Sequence, residues 1–118
     1  MNTNAYSKYL GPEDLLQIEV CNYIKWKYRG AVIHHSPNRG KRTPFEQYKL
    51  KALHTSAGFP DLFIVHKGKA FCIELKAKGG KATELQRIWI ETLNRNGIPA
   101  RVCVGYDESV AFIDEQLS

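Results

Sequence analysis

Gly58-Phe59-Pro60-Asp61-Leu62-Phe63-Ile64-Val65-His66-Lys67-Gly68-Lys69-Ala70-Phe71-Cys72-Ile73-Glu74-Leu75-Lys76 is the stretch that decides how this chain is read. A Gly-Phe-Pro turn leads into an apolar, partly β-branched run. Lys67-Gly68 interrupts it and a second apolar run follows, the pattern of a β-hairpin with strands over 61–66 and 70–76. A two-residue loop pairs His66 with Lys69, and a four-residue loop gives the same register. Counting back from that pair sets Asp61 directly opposite Glu74, on one face, with Cβ atoms roughly 5 Å apart. Two carboxylates so placed repel, so the arrangement calls for a cation between them or a proton on one. The competing reading is a bulge that shifts the register and turns Glu74 to water.

Alternation along the second strand puts Cys72, Glu74 and Lys76 on one face and Phe71, Ile73 and Leu75 on the other. Lys76 is thus on the carboxylate side, where an ammonium can neutralise an acid, position a phosphate or hold a water. A Glu-x-Lys triplet alone says little, because solvated strands carry it often. Asp, Glu and a backbone carbonyl are hard oxygen donors, with no His or Cys at useful spacing, which selects Mg²⁺ or Mn²⁺ over Zn²⁺. Magnesium held by a few carboxylates in a basic protein points to phosphodiester chemistry.

Upstream, residues 1–10 read as a loose arm and 11–118 as a single domain. Gly11-Pro12-Glu13-Asp14 starts a helix, with Pro in the first turn and two acids at the positive end of the dipole, running to about Arg29. A short strand over 31–35, a polar loop over 36–43 and a helix capped by Thr43 and Glu46 follow. Beyond the hairpin, 77–82 is a basic glycine loop. Thr83 caps a third helix with Leu85, Ile88, Trp89 and Leu93 on one face and Gly97 at its end. A strand over 99–104 and a helix over 108–117 complete the order α-β-α-β-β-α-β-α, an α/β sandwich around a mixed sheet.

One helical residue breaks the local rules. On a wheel at roughly 100° per residue, Glu19 falls between Leu15 and Trp26 on one side and Leu16 and Tyr23 on the other, which places it near the middle of an apolar face. A carboxylate there needs a partner. That partner is either a core-facing Lys or Arg or something at a functional site.

The chain has 118 residues, enough for one core. Seventeen Lys and Arg against eight acids give residues 1–106 a formal +9, and the last twelve residues carry four acids and no base. The basic body suggests a polyanionic partner. Cys21, Cys72 and Cys103 lie apart in apolar stretches, as small core residues of a reducing cytoplasm would. No run reaches the length of a membrane span. The first residues lack the apolar stretch of a signal peptide.

Gly58-Phe59-Pro60-Asp61 followed thirteen residues on by Glu74-Leu75-Lys76 resembles the motif of the PD-(D/E)XK nuclease superfamily. Glu19 on the first helix, the Gly-x-Pro-Asp turn, Glu-Leu-Lys and Gln86 together resemble the virus-type replication-repair nuclease (VRR-NUC) family, over residues 13–105 or so. The resemblance implies a restriction-endonuclease-like sandwich with an αβββαβ core, the second helix being an insertion between the first two strands. It implies that Asp61 and Glu74 bind Mg²⁺ or Mn²⁺ with the backbone carbonyl of Leu75. Glu19 would bind or orient the metal site, Lys76 would position or activate the attacking water, and Gln86 would support Lys76 or the scissile phosphate. Thr83-x-x-Gln86 is also a capping box, which gives Gln86 a structural alternative.

The expected activity is that of a metal-dependent DNA endonuclease with no small-molecule cofactor. Arg39, Lys41 and Arg42 in one loop, and Lys78 and Lys81 in another, would contact DNA phosphates. By family likeness the substrate is branched DNA, four-way Holliday junctions above all, cut by a homodimer. Stand-alone members of this size are typical of phage and bacteria. A flap, single-strand or nicking nuclease using the same residues is the enzymatic alternative, and a DNA-binding module without activity the non-enzymatic one. An RNA-binding protein is a weaker rival, since the chain lacks the aromatic platform of common RNA modules.

Overall fold

The computed structural model describes residues 5–36 and 43–118. A 3₁₀ turn at Ser7–Tyr9 precedes helix α1 (Pro12–Lys27), strand β1 (Val32–His35), helix α2 (Pro44–Ala52), strands β2 (Leu62–His66) and β3 (Lys69–Lys76), helix α3 (Glu84–Arg95), strand β4 (Ala100–Val104) and helix α4 (Gly105–Leu117). One sheet holds them in the order β1-β2-β3-β4. The first three strands are antiparallel, and β4 lies parallel to β3 after the α3 crossover. The mixed sheet, with α2 between its first two strands, is the expected PD-(D/E)XK-like architecture.

The hairpin register is the one counted from the sequence: His66 pairs with Lys69 and Leu62 with Ile73. Lys67 and Gly68 both take positive φ, 48° and 80°, as a tight turn of this twist requires. Leu62, Ile64, Phe71, Ile73, Leu75 and Cys103 face α1 and α4 and bury Leu16, Val20, Ile24, Tyr28, Phe112 and Ile113 against the sheet. Phe71 and Phe112 meet edge to face at 5.6 Å between ring centres. The other face carries Glu74 and Lys76, and α3 lies over it.

Four sequence readings change. Helix α1 ends at Lys27 rather than Arg29, and α4 starts at Gly105, three residues early. In α3 the apolar stripe is only half covered: Leu85 and Ile88 are exposed and no residue of the helix is fully buried. The wheel of α1 was centred on the wrong stripe. Its buried ridge is Leu16, Val20 and Ile24, spaced four apart, and Glu19 is exposed, about 100° round from the middle of that ridge.

No helix among the described residues is long and apolar enough to cross a membrane.

Candidate active site

The end of the hairpin away from its turn opens into a cleft of about 300 Å³. Gly58, Phe59 and Asp61 line it from the turn before β2, Glu74 and Lys76 from β3, and Thr83, Leu85 and Gln86 from the start of α3. Glu13, in the first turn of α1, closes the remaining side.

Asp61 sits one residue before β2, on a turn that only glycine can make. Gly58 has φ +80°, and a Cβ there would stand 2.8 Å from Leu85 Cγ. The Asp61 backbone carbonyl accepts the Ser36 N–H at 2.9 Å, which ties the turn to the end of β1. Its side chain crosses to the neighbouring strand, where Oδ2 accepts the Leu75 N–H at 2.8 Å. The carboxylate is therefore fixed beside Glu74.

Glu74 is 2 % exposed, and its Oε2 lies 3.5 Å from the Lys76 ammonium and accepts from Gln86 Nε2 at 3.1 Å. Its Oε1 is buried without a hydrogen-bond partner. Burial, then the charge and hydrogen-bonding contact of Asp61, push the Glu74 carboxyl up to about 8, against the opposing pull of Lys76. Lys76 is itself buried, 8 % exposed. Packing alone does not explain two acids and an ammonium held under cover in this way.

Gln86 fills the capping box that the sequence offered as its structural alternative, and its other amide end reaches Glu74 rather than Lys76. Its Oε1 accepts from Thr83 N at 2.8 Å, and Thr83 Oγ1 accepts from Gln86 N, which is a complete capping box. Its Nε2 remains to hold Glu74.

The donor set suits a hard divalent cation. Asp61, Glu74 and the Leu75 carbonyl offer oxygen only, and the buried Glu74 Oε1 has a lone pair to give. Among the described residues no three His, Cys, Asp or Glu side chains form a ready cage. An open two-carboxylate site of this kind matches the way Mg²⁺ is usually held, by one or two carboxylates together with waters and phosphate oxygens.

The structure gathers Asp61, Glu74, Lys76 and Gln86 in one cleft but leaves Glu19 out of it. Glu13 stands at the place on α1 that Glu19 was expected to fill. The sequence reading missed it because an acid in the first turn of a helix is fully explained by the helix dipole. Lys78 and Lys81 are exposed on the loop from β3 to α3, next to the cleft. Arg39, Lys41 and Arg42 lie outside the described residues.

Known proteins resemble this chain over most of its length. The family model described as the VRR-NUC domain matches residues 7–107. A solved structure described as a VRR_NUC domain protein superposes with a TM-score of 0.71 at 30 % sequence identity, covering 92 % of this chain and 89 % of that one. No curated protein matches the chain.

Proposed function

Since the chain belongs to the VRR-NUC domain family, whose function is nuclease-type processing of DNA, we propose that it is a Mg²⁺- or Mn²⁺-dependent endonuclease that hydrolyses phosphodiester bonds in branched DNA. The observation that carries the reading is the buried Asp61–Glu74 pair with Lys76 beside it and one Glu74 oxygen lacking a partner.

In this reading Asp61 and Glu74, with the Leu75 carbonyl, hold the cation, and Glu13 faces the same space from α1. The bound cation would supply Lewis acidity at a phosphoryl oxygen. Leu75 N–H fixes the rotamer of Asp61, and Gln86 fixes that of Glu74. Lys76 keeps its ammonium in a low-dielectric cleft, where it orients the attacking water and offsets charge that builds on the phosphate. Lys78 and Lys81 hold the flanking phosphates.

Four-way junctions cut by a homodimer are the finer form of the proposal. A chain of this size presents little surface to a junction, and two symmetric incisions need two sites. Helix α2 leaves Phe45, Tyr48 and Leu53 exposed, apolar surface of the kind a second copy would cover.

The test is a panel of junction, flap, fork and linear DNA, with Mg²⁺ and with Mn²⁺, cut by wild type, Asp61→Ala and Lys76→Ala. The junction should be cut best by wild type and not measurably by either variant. Variants that cut like wild type would remove the site assignment. A preference for flaps would move the substrate to the alternative reading, and a monomer on gel filtration with junction DNA would end the dimer proposal.

A further inference from the structure

At the turn end of the hairpin, on the opposite face of the sheet from the cleft, a second groove of about 500 Å³ runs between the end of α1, the β2–β3 turn and the end of α4. We propose that this groove binds a single-stranded segment of the DNA substrate. That the ligand is DNA rests on the nuclease reading above; that it is an unpaired strand rests on the groove.

Trp26, Arg29, His66, Lys67 and Lys69 line it, and Tyr28 forms part of its wall. Lys27 also borders it but is committed, with its ammonium 3.1 Å from Asp114. Asp114, the acid on α4 nearest these residues, is in turn saturated by Lys27 and by the hydroxyls of Tyr23 and Tyr28. Arg29, Lys67 and Lys69 have no carboxylate partner among the described residues. Three uncompensated cations therefore come together from two elements far apart in sequence.

Trp26 is 70 % exposed beside them, with its ring 6.0 Å from that of Tyr23. The fold does not use this indole for its core. A cationic rim with an open aromatic face fits a phosphodiester strand whose bases are free to stack, and a duplex hides its base faces.

A second observation comes from the turn. Lys67 takes φ 48°, where Asn, Asp or Gly is preferred. The chain places a lysine where turn chemistry argues against it, and the result is a cation at the groove's lip.

The two sites stand at opposite ends of the hairpin, about 17 Å apart along β2 at 3.3 Å per residue. Along β2 that separation matches about five nucleotides of stacked strand at 3.4 Å each.

The experiment measures anisotropy of fluorescein-labelled dT15, and of a blunt duplex, in EDTA so that no cleavage occurs. Trp26→Ala should weaken dT15 binding about tenfold, the order of one lost stacking contact. Lys67→Asn should weaken it several-fold and lower the salt slope by roughly 0.7. Because Asn suits the turn, this variant should melt no lower than wild type, which separates lost binding from lost folding. Unchanged dT15 affinity in both variants, or an equal loss on blunt duplex, overturns the proposal. Asp61→Ala reads the other site: it should lose cleavage and keep dT15 binding. If Asp61→Ala instead cuts like wild type, the site assignment fails; if wild type cuts no DNA with Mg²⁺ or Mn²⁺ while the groove variants still lose dT15, the nuclease reading fails and the groove stands.

Discussion

Gln86 donates to Glu74 Oε2 at 3.1 Å with one end of its amide and accepts from the Thr83 N–H at 2.8 Å with the other. One side chain thus caps the start of a helix and holds the buried Glu74 carboxylate. The two jobs can be separated. Gln86→Ala removes both and should cost about 1 kcal/mol for the lost bond to the Thr83 N–H, since Thr83 still caps the helix. Gln86→Glu keeps an acceptor for Thr83 but replaces the donor to Glu74 with a like charge. It should melt within a few degrees of wild type and yet lose at least about tenfold in cleavage. Thermal melts beside single-turnover rates check this. Equal rates for Gln86→Glu and wild type would reduce Gln86 to a cap.

Gly58 is a second point where fold and site share one residue. At φ +80° an L side chain is strained, and its Cβ would sit 2.8 Å from Leu85 Cγ and 3.3 Å from the Leu85 carbonyl carbon. Gly58→Ala should therefore destabilise by roughly 1–3 kcal/mol. The strain would push α3 away from the turn and so draw Gln86 from Glu74. A denaturant midpoint that falls while the m-value holds, together with slower cleavage, is the expected pair of results.

Why the hairpin was legible and helix α1 was not follows from their different constraints. A two-residue turn fixes register absolutely, so Asp61 and Glu74 could be matched by counting. Helix α1 carries apolar side chains on nearly every side: Leu15 and Ile18 are about half exposed, and Trp26 is 70 % exposed. Taking Trp26 as buried swung the wheel toward Glu19. The true ridge, Leu16-Val20-Ile24, belongs to one buried cluster with Ile64, Phe71 and Phe112, residues no local pattern brings together. Glu13 was hidden for the converse reason, since its place in the first turn already had a sufficient local cause. Glu13→Gln should accordingly reduce cleavage several-fold or more, and Glu19→Gln should leave it within about twofold of wild type. Reversal of that order, measured on one substrate at saturating metal, would restore the wheel reading.

Asp114 links α4 to α1 and sets the acid limb of stability. Burial alone would raise its carboxyl, but hydrogen bonds from Tyr28, Tyr23 and Lys27 and the charge of Lys27 outweigh that and hold it below its usual 3.8. A group whose folded value is depressed stabilises the fold above its unfolded value, and that contribution fades as pH falls through the folded value. Wild type should therefore lose stability below about pH 4, and Asp114→Asn should show a flatter profile there. At neutral pH the variant should be less stable by about 1 kcal/mol, a small figure because the carboxylate is part exposed. Urea midpoints at pH 7, 4 and 3 give both numbers.

The strongest expectation concerns Glu74, because fold and function pull it in opposite directions. As a buried carboxyl beside Asp61, with Oε1 lacking a partner and its pKa raised, it should weaken the metal-free protein. Glu74→Gln keeps the shape and an oxygen to accept from Gln86. It also removes the like charge and turns an amide donor toward Asp61. The metal-free variant should therefore melt at or above wild type, by the order of 1 kcal/mol. Adding Mg²⁺ or Mn²⁺ should reverse the ranking. Wild type should gain about 2.7 kcal/mol at a hundred times its dissociation constant, since the cation binds only the folded site. Glu74→Gln should gain little and cut nothing measurable. A variant less stable than wild type without metal would mean that the pair is compensated within the fold. A metal response as large as that of wild type would mean that the cation binds elsewhere.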